Sequence, residues 1–113
     1  MILWHNPRCT KSRQALALLE EQGVEFSVRR YLDDAPDQEE LRALHAKLGG
    51  PVIAMMRPKE AVFKEMGLTR DMPDDALFAA MAKAPKLIER PVLIAGDKAA
   101  IGRPPERILD IMA

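Results

Sequence analysis

The tightest constraint on the fold lies in residues 2–31, where the apolar pattern changes period twice. Ile2-Leu3-Trp4 is a short apolar run closed by Asn6-Pro7, which predicts a buried strand that stops at the proline. From Ser12 onward Ala15, Leu16, Leu19 and Gln22 recur at helical spacing, and Gly23 supplies a C-terminal stop. Val24, Phe26 and Val28 then alternate with Glu25, Ser27 and Arg29, which predicts a half-buried strand ending near Tyr31. Strand, helix and strand within this length make one parallel crossover, and such crossovers are right-handed.

The middle of the chain reads as helical. Asp37 with Glu40 three residues later forms a capping box, and Leu41, Leu44 and Leu48 carry an apolar stripe to Gly49-Gly50. A short segment, Val52 to Met56, leads to helical stretches at Glu60–Met66 and Asp74–Lys83, punctuated by Gly67 and Pro73. Leu77, Phe78 and Met81 give the last of these its buried face. Pro91 to Ala95 is rich in strand formers, Gly96-Asp97 is a turn signal, and Ala99 to Ile101 pairs back as a hairpin. Pro104-Pro105 opens a final helix over Glu106–Met112. A βαβ unit and a ββα unit around one mixed sheet is the thioredoxin-like α/β fold, here with a helical insertion between the halves. The chain has 113 residues, 48% of them hydrophobic, and no repeat or linker-like tract, so a single domain over 1–113 is expected.

Charge and composition exclude several classes of function. Seventeen Lys and Arg balance seventeen Asp and Glu, which removes the electrostatic argument for a nucleic-acid partner. The longest apolar run, Ala76 to Ala82, is far short of the roughly 18 residues of a membrane span. Met1 to Leu3 runs straight into Trp4, His5, Asn6 and Pro7, unlike the basic start and apolar core of a signal peptide. A cytoplasmic protein with neither a nucleic-acid nor a membrane partner is the expectation. Cys9 is the one cysteine, so the chain closes no disulfide of its own and builds no zinc site from several thiolates. No bound metal or cofactor is expected.

Cys9 sits between the first strand and the first helix, in His5-Asn6-Pro7-Arg8-Cys9-Thr10-Lys11-Ser12-Arg13. A helix N-terminus offers unpaired N–H groups and partial positive charge, which favour a thiolate, as do Arg8, Lys11, Arg13 and His5 nearby. The same N–H groups suit a tetrahedral anion. The competing reading is a small buried apolar cysteine, although three flanking cations are unusual for one. Ser12 stands where dithiol oxidoreductases keep a second cysteine, so an oxidised Cys9 needs an external thiol. Its hydroxyl either donates to the thiolate or helps cap the helix. His5 either stabilises the thiolate or ends the strand with a satisfied ring. Asn6 and Pro7 shape the turn. Arg57-Pro58, Arg90-Pro91 and Arg103-Pro104 each hold an arginine extended before a proline. These are either chance surface residues or a set converging on an anion, for which the planar guanidinium is well suited. The Pro91 bond is a candidate for the cis form, since it leads into a strand facing the same place.

The stretch His5-Asn6-Pro7-x-Cys9-x-x-Ser12-Arg13, followed by Ala54-Met55-Met56-Arg57, Ile88-Glu89-Arg90-Pro91-Val92 and Arg103-Pro104, resembles the ArsC-type, glutaredoxin-linked arsenate reductases. Order and spacing agree over nearly the whole chain, including Tyr31-Leu32 and the helix start at Asp37. The resemblance implies an oxidoreductase of arsenic detoxification, in which the Cys9 thiolate attacks arsenate and the adduct is resolved by glutathione and glutaredoxin to release arsenite. Glutathione is then a co-substrate and no cofactor is bound. Arg57, Arg90 and Arg103 match the family's oxyanion-binding arginines, and His5 matches the histidine held to keep the cysteine ionised. The resemblance also implies a cis bond before Pro91. Thr10-Lys11-Ser12 replaces the Gly-Thr-Ser of the resistance enzymes and the sequence stops at Ala113, which places it in a short branch of the family.

Two other readings share this fold group. Redox regulators that bind RNA polymerase carry a Cys-x-x-Cys switch, whose second thiol Ser12 replaces. Monothiol glutaredoxin-like proteins carry Gly-Phe-Ser after the cysteine, and they leave the three arginines unexplained.

Overall fold

The computed structural model describes residues 1–112, which form two compact units, one of residues 1–34 with 90–112 and one of residues 35–89. The first unit holds all four strands: β1 (Ile2–Trp4), β2 (Ser27–Arg29), β3 (Val92–Ala95) and β4 (Lys98–Ile101). Their order is β2-β1-β3-β4. β1 pairs with β2 in parallel, Leu3 opposite Val28, and with β3 antiparallel, Leu3 opposite Leu93. β3 and β4 form the expected antiparallel hairpin around Gly96-Asp97. The sheet is therefore mixed, with βαβ and ββ halves meeting at β1 and β3, which is the thioredoxin-like arrangement.

Helix α1 (Thr10–Glu21) connects β1 to β2, and a 3-10 helix at Pro105–Ile111 follows β4. Both bury their apolar stripes on one face of the sheet. Leu3 and Leu93 from the strands, Ala15 and Leu19 from α1, and Ile108 from the 3-10 helix are each wholly buried in one cluster. Each buried leucine or isoleucine contributes about 1.5–3 kcal/mol through apolar area removed from water. This cluster fixes the end of β1 and the start of α1, the two elements that flank Cys9.

Several expectations need correction. α1 begins at Thr10, not Ser12, so Cys9 is its N-cap. β2 is only three residues long, and Val28, expected to face the core, is 45% exposed. As an edge strand it is covered on one side only, and Val24 and Phe26 pack on the core from outside any strand. The terminal helix is 3-10 rather than α, starting at Pro105.

The second unit carries the helical segments inserted in sequence between the halves: α2 (Gln38–Leu48), α3 (Ala61–Glu65) and α4 (Asp74–Lys83), with 3-10 turns at Val52–Met55 and Pro85–Leu87. The capping box at Asp37 is formed in both directions: Glu40 N–H donates to Asp37 Oδ1 at 2.8 Å, and Asp37 N–H to Glu40 Oε1 at 3.2 Å. Leu41 and Leu44 of α2 and Leu77 and Met81 of α4 are almost wholly buried, and the two helices pack together. Among the described residues, no helix is long and apolar enough to cross a membrane.

Candidate active site

Everything around Cys9 follows from the way the chain leaves β1 and turns into α1. Asn6 organises the turn. Its carbonyl accepts the Cys9 N–H at 3.0 Å, and its Oδ1 accepts the Arg8 N–H at 3.0 Å. The second bond closes an Asx turn, in which the short amide side chain stands in for a backbone carbonyl. Cys9 follows in extended conformation (φ −93°, ψ 123°), and its carbonyl accepts the Arg13 N–H at 3.0 Å, the first bond of α1. Arg13 braces the turn from outside: Nη1 donates to the Pro7 carbonyl at 3.0 Å and Nη2 to Thr10 Oγ1 at 3.3 Å.

Ser12 is fully buried. Its Oγ lies 2.6 Å from His5 Nδ1 and accepts the Asn6 N–H at 3.0 Å. The hydroxyl therefore ties the end of β1 to the turn and is not directed at the sulfur. Ser12 acts on Cys9 through its backbone N–H instead. Burial, then the charges of Arg30 and Arg13, hold His5 below the ordinary histidine value, which favours the neutral ring. A neutral ring is not a cation for the thiolate, and the hydrogen bond the ring makes is the one to Ser12.

The cations that favour the thiolate come from elsewhere than expected. Burial pushes the Cys9 thiol up. The N–H of Ser12, then the Arg90 guanidinium by hydrogen bond and by charge, then the N–H of Lys11 together pull it below the ordinary thiol value. Arg8 and Lys11 are exposed, and the Arg13 guanidinium is engaged with Pro7 and Thr10, so these side chains are not the source. Arg103 Nη2 reaches to 4.0 Å of Cys9 Sγ, while its Nε donates to the Arg90 carbonyl at 2.9 Å. The Arg90–Pro91 bond is cis, as expected, and the Arg103–Pro104 bond is cis as well. Cys9, Arg90 and Arg103 are thus brought together within the first unit, although 94 residues separate Cys9 from Arg103.

Arg57 belongs to the second unit. Its N–H donates to the Leu87 carbonyl at 2.8 Å, its Nε lies 3.4 Å from Glu60 Oε1, and its Nη1 lies 4.0 Å from Glu89 Oε1. Both carboxylates were missed in the sequence. Glu60 faces Arg57 across a turn at Pro58-Lys59, closed by the Glu60 N–H on the Arg57 carbonyl at 3.1 Å, whereas Glu89 carries no comparable sequence cue. Among the described residues no group of three or more His, Cys, Asp or Glu could hold a metal ion. Chemically, the first unit offers a sulfur drawn toward ionisation by Arg90, with Arg103 Nη2 at 4.0 Å, an arrangement that favours nucleophilic attack on an oxyanion.

Comparison with known proteins agrees with this geometry. The arsenate reductase of Neisseria meningitidis serogroup A is 49% identical over 108 residues, covering 94% of this chain and 92% of that protein. The arsenate reductase of Haemophilus influenzae is 44% identical over 114 residues, covering 99% of this chain and 98% of that one. The solved structure of the arsenate reductase from Vibrio cholerae superposes with a TM-score of 0.93 at 51% identity, over 97% of this chain and 95% of its own. A family model described as the ArsC family matches residues 4–111, from within β1 to the end of the last 3-10 helix. With its sulfur at the start of α1 and its relatives matching nearly end to end, this chain belongs to the ArsC family.

Proposed function

We propose that this protein reduces arsenate, with Cys9 as nucleophile and glutathione as co-substrate. The observation that carries the reading is the Cys9 sulfur at the head of α1, drawn toward its ionised form by Arg90 and by helix N–H groups, with Arg103 Nη2 at 4.0 Å. The Cys9 thiolate attacks arsenic, forming an S–As bond, and one arsenate oxygen leaves as water after protonation. A glutathione thiol then bonds to arsenic, and a second oxygen leaves as water. A second thiol, on glutaredoxin, then takes the glutathione sulfur into a disulfide. The bond between arsenic and the glutathione sulfur breaks and leaves its electron pair on arsenic, which goes from the +5 to the +3 state; water then cleaves the Cys9 S–As bond, arsenite leaves and the Cys9 thiol is restored. Arsenate and two thiols give arsenite, one disulfide and one water.

Arg90 and Arg103 offset the negative charge that gathers as sulfur meets the oxyanion. The resemblance of Ala54-Met55-Met56-Arg57 to the family pattern supports Arg57 as a further oxyanion-binding arginine. Ser12 serves by holding His5 and the turn. An external reductant is consistent with Cys9 as the one cysteine, and with the reducing cytoplasm as the place of work. One domain over 1–113 is consistent with a family match that runs through both units. The test is arsenate turnover with glutathione and glutaredoxin, for the protein and for Cys9→Ser. Turnover confined to the protein with Cys9 supports the reading, and equal rates overturn it.

A further inference from the structure

We infer that Gly102 is a positioning residue for this reaction: by lacking a Cβ it lets the Pro91 ring close against the backbone that carries Arg103, and so sets the Arg103 guanidinium beside the Cys9 sulfur. The inference rests on the reading of Cys9 as the nucleophile. Gly102 is the exception among the glycines. Gly23, Gly49, Gly50, Gly67 and Gly96 have φ between 61° and 72° and nothing within 4 Å of where a Cβ would stand. They are glycine for conformation. Gly102 is buried and has no positive φ, yet a Cβ there would lie 2.8 Å from Pro91 Cγ, 3.1 Å from Ile108 Cγ2 and 3.3 Å from Pro91 Cδ. It is glycine for space.

The space lies on the path that holds Arg103. The Pro91 ring cannot swing aside like the end of a long side chain, because it closes on its own backbone nitrogen. A Cβ at position 102 therefore displaces the backbone of Arg90 and Pro91, or that of Gly102 and Arg103. The bonds that place Arg103 run between these two segments: Gly102 N–H donates to the Pro91 carbonyl at 2.8 Å, and Arg103 Nε to the Arg90 carbonyl at 2.9 Å. Nη2 then reaches Sγ at 4.0 Å, the outer limit of a hydrogen bond to sulfur, so a small outward shift ends the contact. Arg90, whose guanidinium also favours the thiolate, lies on the displaced segment.

The test is Gly102→Ala, with Ile108→Val as a comparator that loosens the same wall without entering the site. An ultraviolet thiolate titration, with Cys9→Ser variants as blanks, is expected to show the Cys9 ionisation constant lowered about tenfold in Gly102→Ala and unchanged in Ile108→Val. The acid limb of kcat/KM for arsenate should move to higher pH by the same factor. Arg103→Gln added to Gly102→Ala should then change ionisation little further, because the two act on one contact. A folded Gly102→Ala that ionises like the parent protein overturns the inference, as does an equal shift in Ile108→Val or full additivity with Arg103→Gln. If Gly102→Ala does not fold, Gly102→Ala/Ile108→Ala, with one wall removed, is read in the same way. Failure of that variant where Ile108→Ala alone folds assigns Gly102 to the fold and overturns the positioning role. The ionisation arm stands apart from arsenate: a parent protein that fails to turn arsenate over removes the proposed function and leaves the role of Gly102 to be decided by the titration.

Discussion

Replacing Ser12 with alanine removes one oxygen from a site with no solvent exposure. That oxygen has two partners, His5 Nδ1 at 2.6 Å and the Asn6 N–H at 3.0 Å, and both residues are themselves buried, His5 to 5% exposure and Asn6 to 9%. A buried polar group left without a partner costs about 1–3 kcal/mol. The Asn6 N–H bears this in full, while the His5 ring recovers part of it through its tautomer, so the expected loss of folding stability is about 2–4 kcal/mol. Against a typical total of about 5–15 kcal/mol this is a large effect. Urea unfolding at neutral pH, with the slope unchanged and the midpoint lowered, measures it. The Cys9 titration should move little in the same variant, because Ser12 acts on the sulfur through its backbone N–H, which alanine keeps. A stability loss under about 0.5 kcal/mol would refute the reasoning. So would a large rise in the Cys9 pKa at unchanged stability, which would put the hydroxyl on the sulfur after all.

Two further predictions concern stability. Asp37→Ala removes the side-chain half of the capping box at the start of α2, the carboxylate that accepts the Glu40 N–H, and should cost about 1 kcal/mol, read as a lowered denaturation midpoint; no change would mean that water replaces the cap. His5 has a folded pKa below its unfolded value near 6.5, so the unfolded chain binds the proton more readily. Its contribution is complete above that value and declines as pH falls from it toward the folded pKa. His5→Gln should flatten this part of the stability profile, and an unaltered acid slope would contradict the burial of a neutral ring.

Local chemistry made much of this fold legible. Ile2-Leu3-Trp4 ends at a proline, Asp37 and Glu40 close a capping box, and Gly96-Asp97 turns a hairpin; in each case the deciding interaction lies within a few residues. β2 was less legible because alternation reports a half-buried surface only when something covers it, and at the sheet edge Val28 is left open. The candidate site divides in the same way. The place of Cys9 at the head of α1 follows from its neighbours in sequence, but the source of its charge does not. Arg8, Lys11 and Arg13 are near in sequence, yet it is Arg90 that favours the thiolate and Arg103 that reaches to 4.0 Å of the sulfur, brought there by the pairing of β1 with β3 and by the bond from Arg103 to the Arg90 carbonyl. The choice of Ser12 Oγ between sulfur and imidazole was likewise open, because it depends on which partner burial leaves without water.

The central claim is that this fold favours ionisation of the Cys9 thiol before any substrate arrives. An ultraviolet titration of the Cys9 thiol, blanked with Cys9→Ser, tests it most directly. The account predicts ionisation below the free-thiol value of about 8.5. A midpoint at or above that value would contradict it, since burial would then outweigh Arg90, Arg103 and the helix N–H groups together.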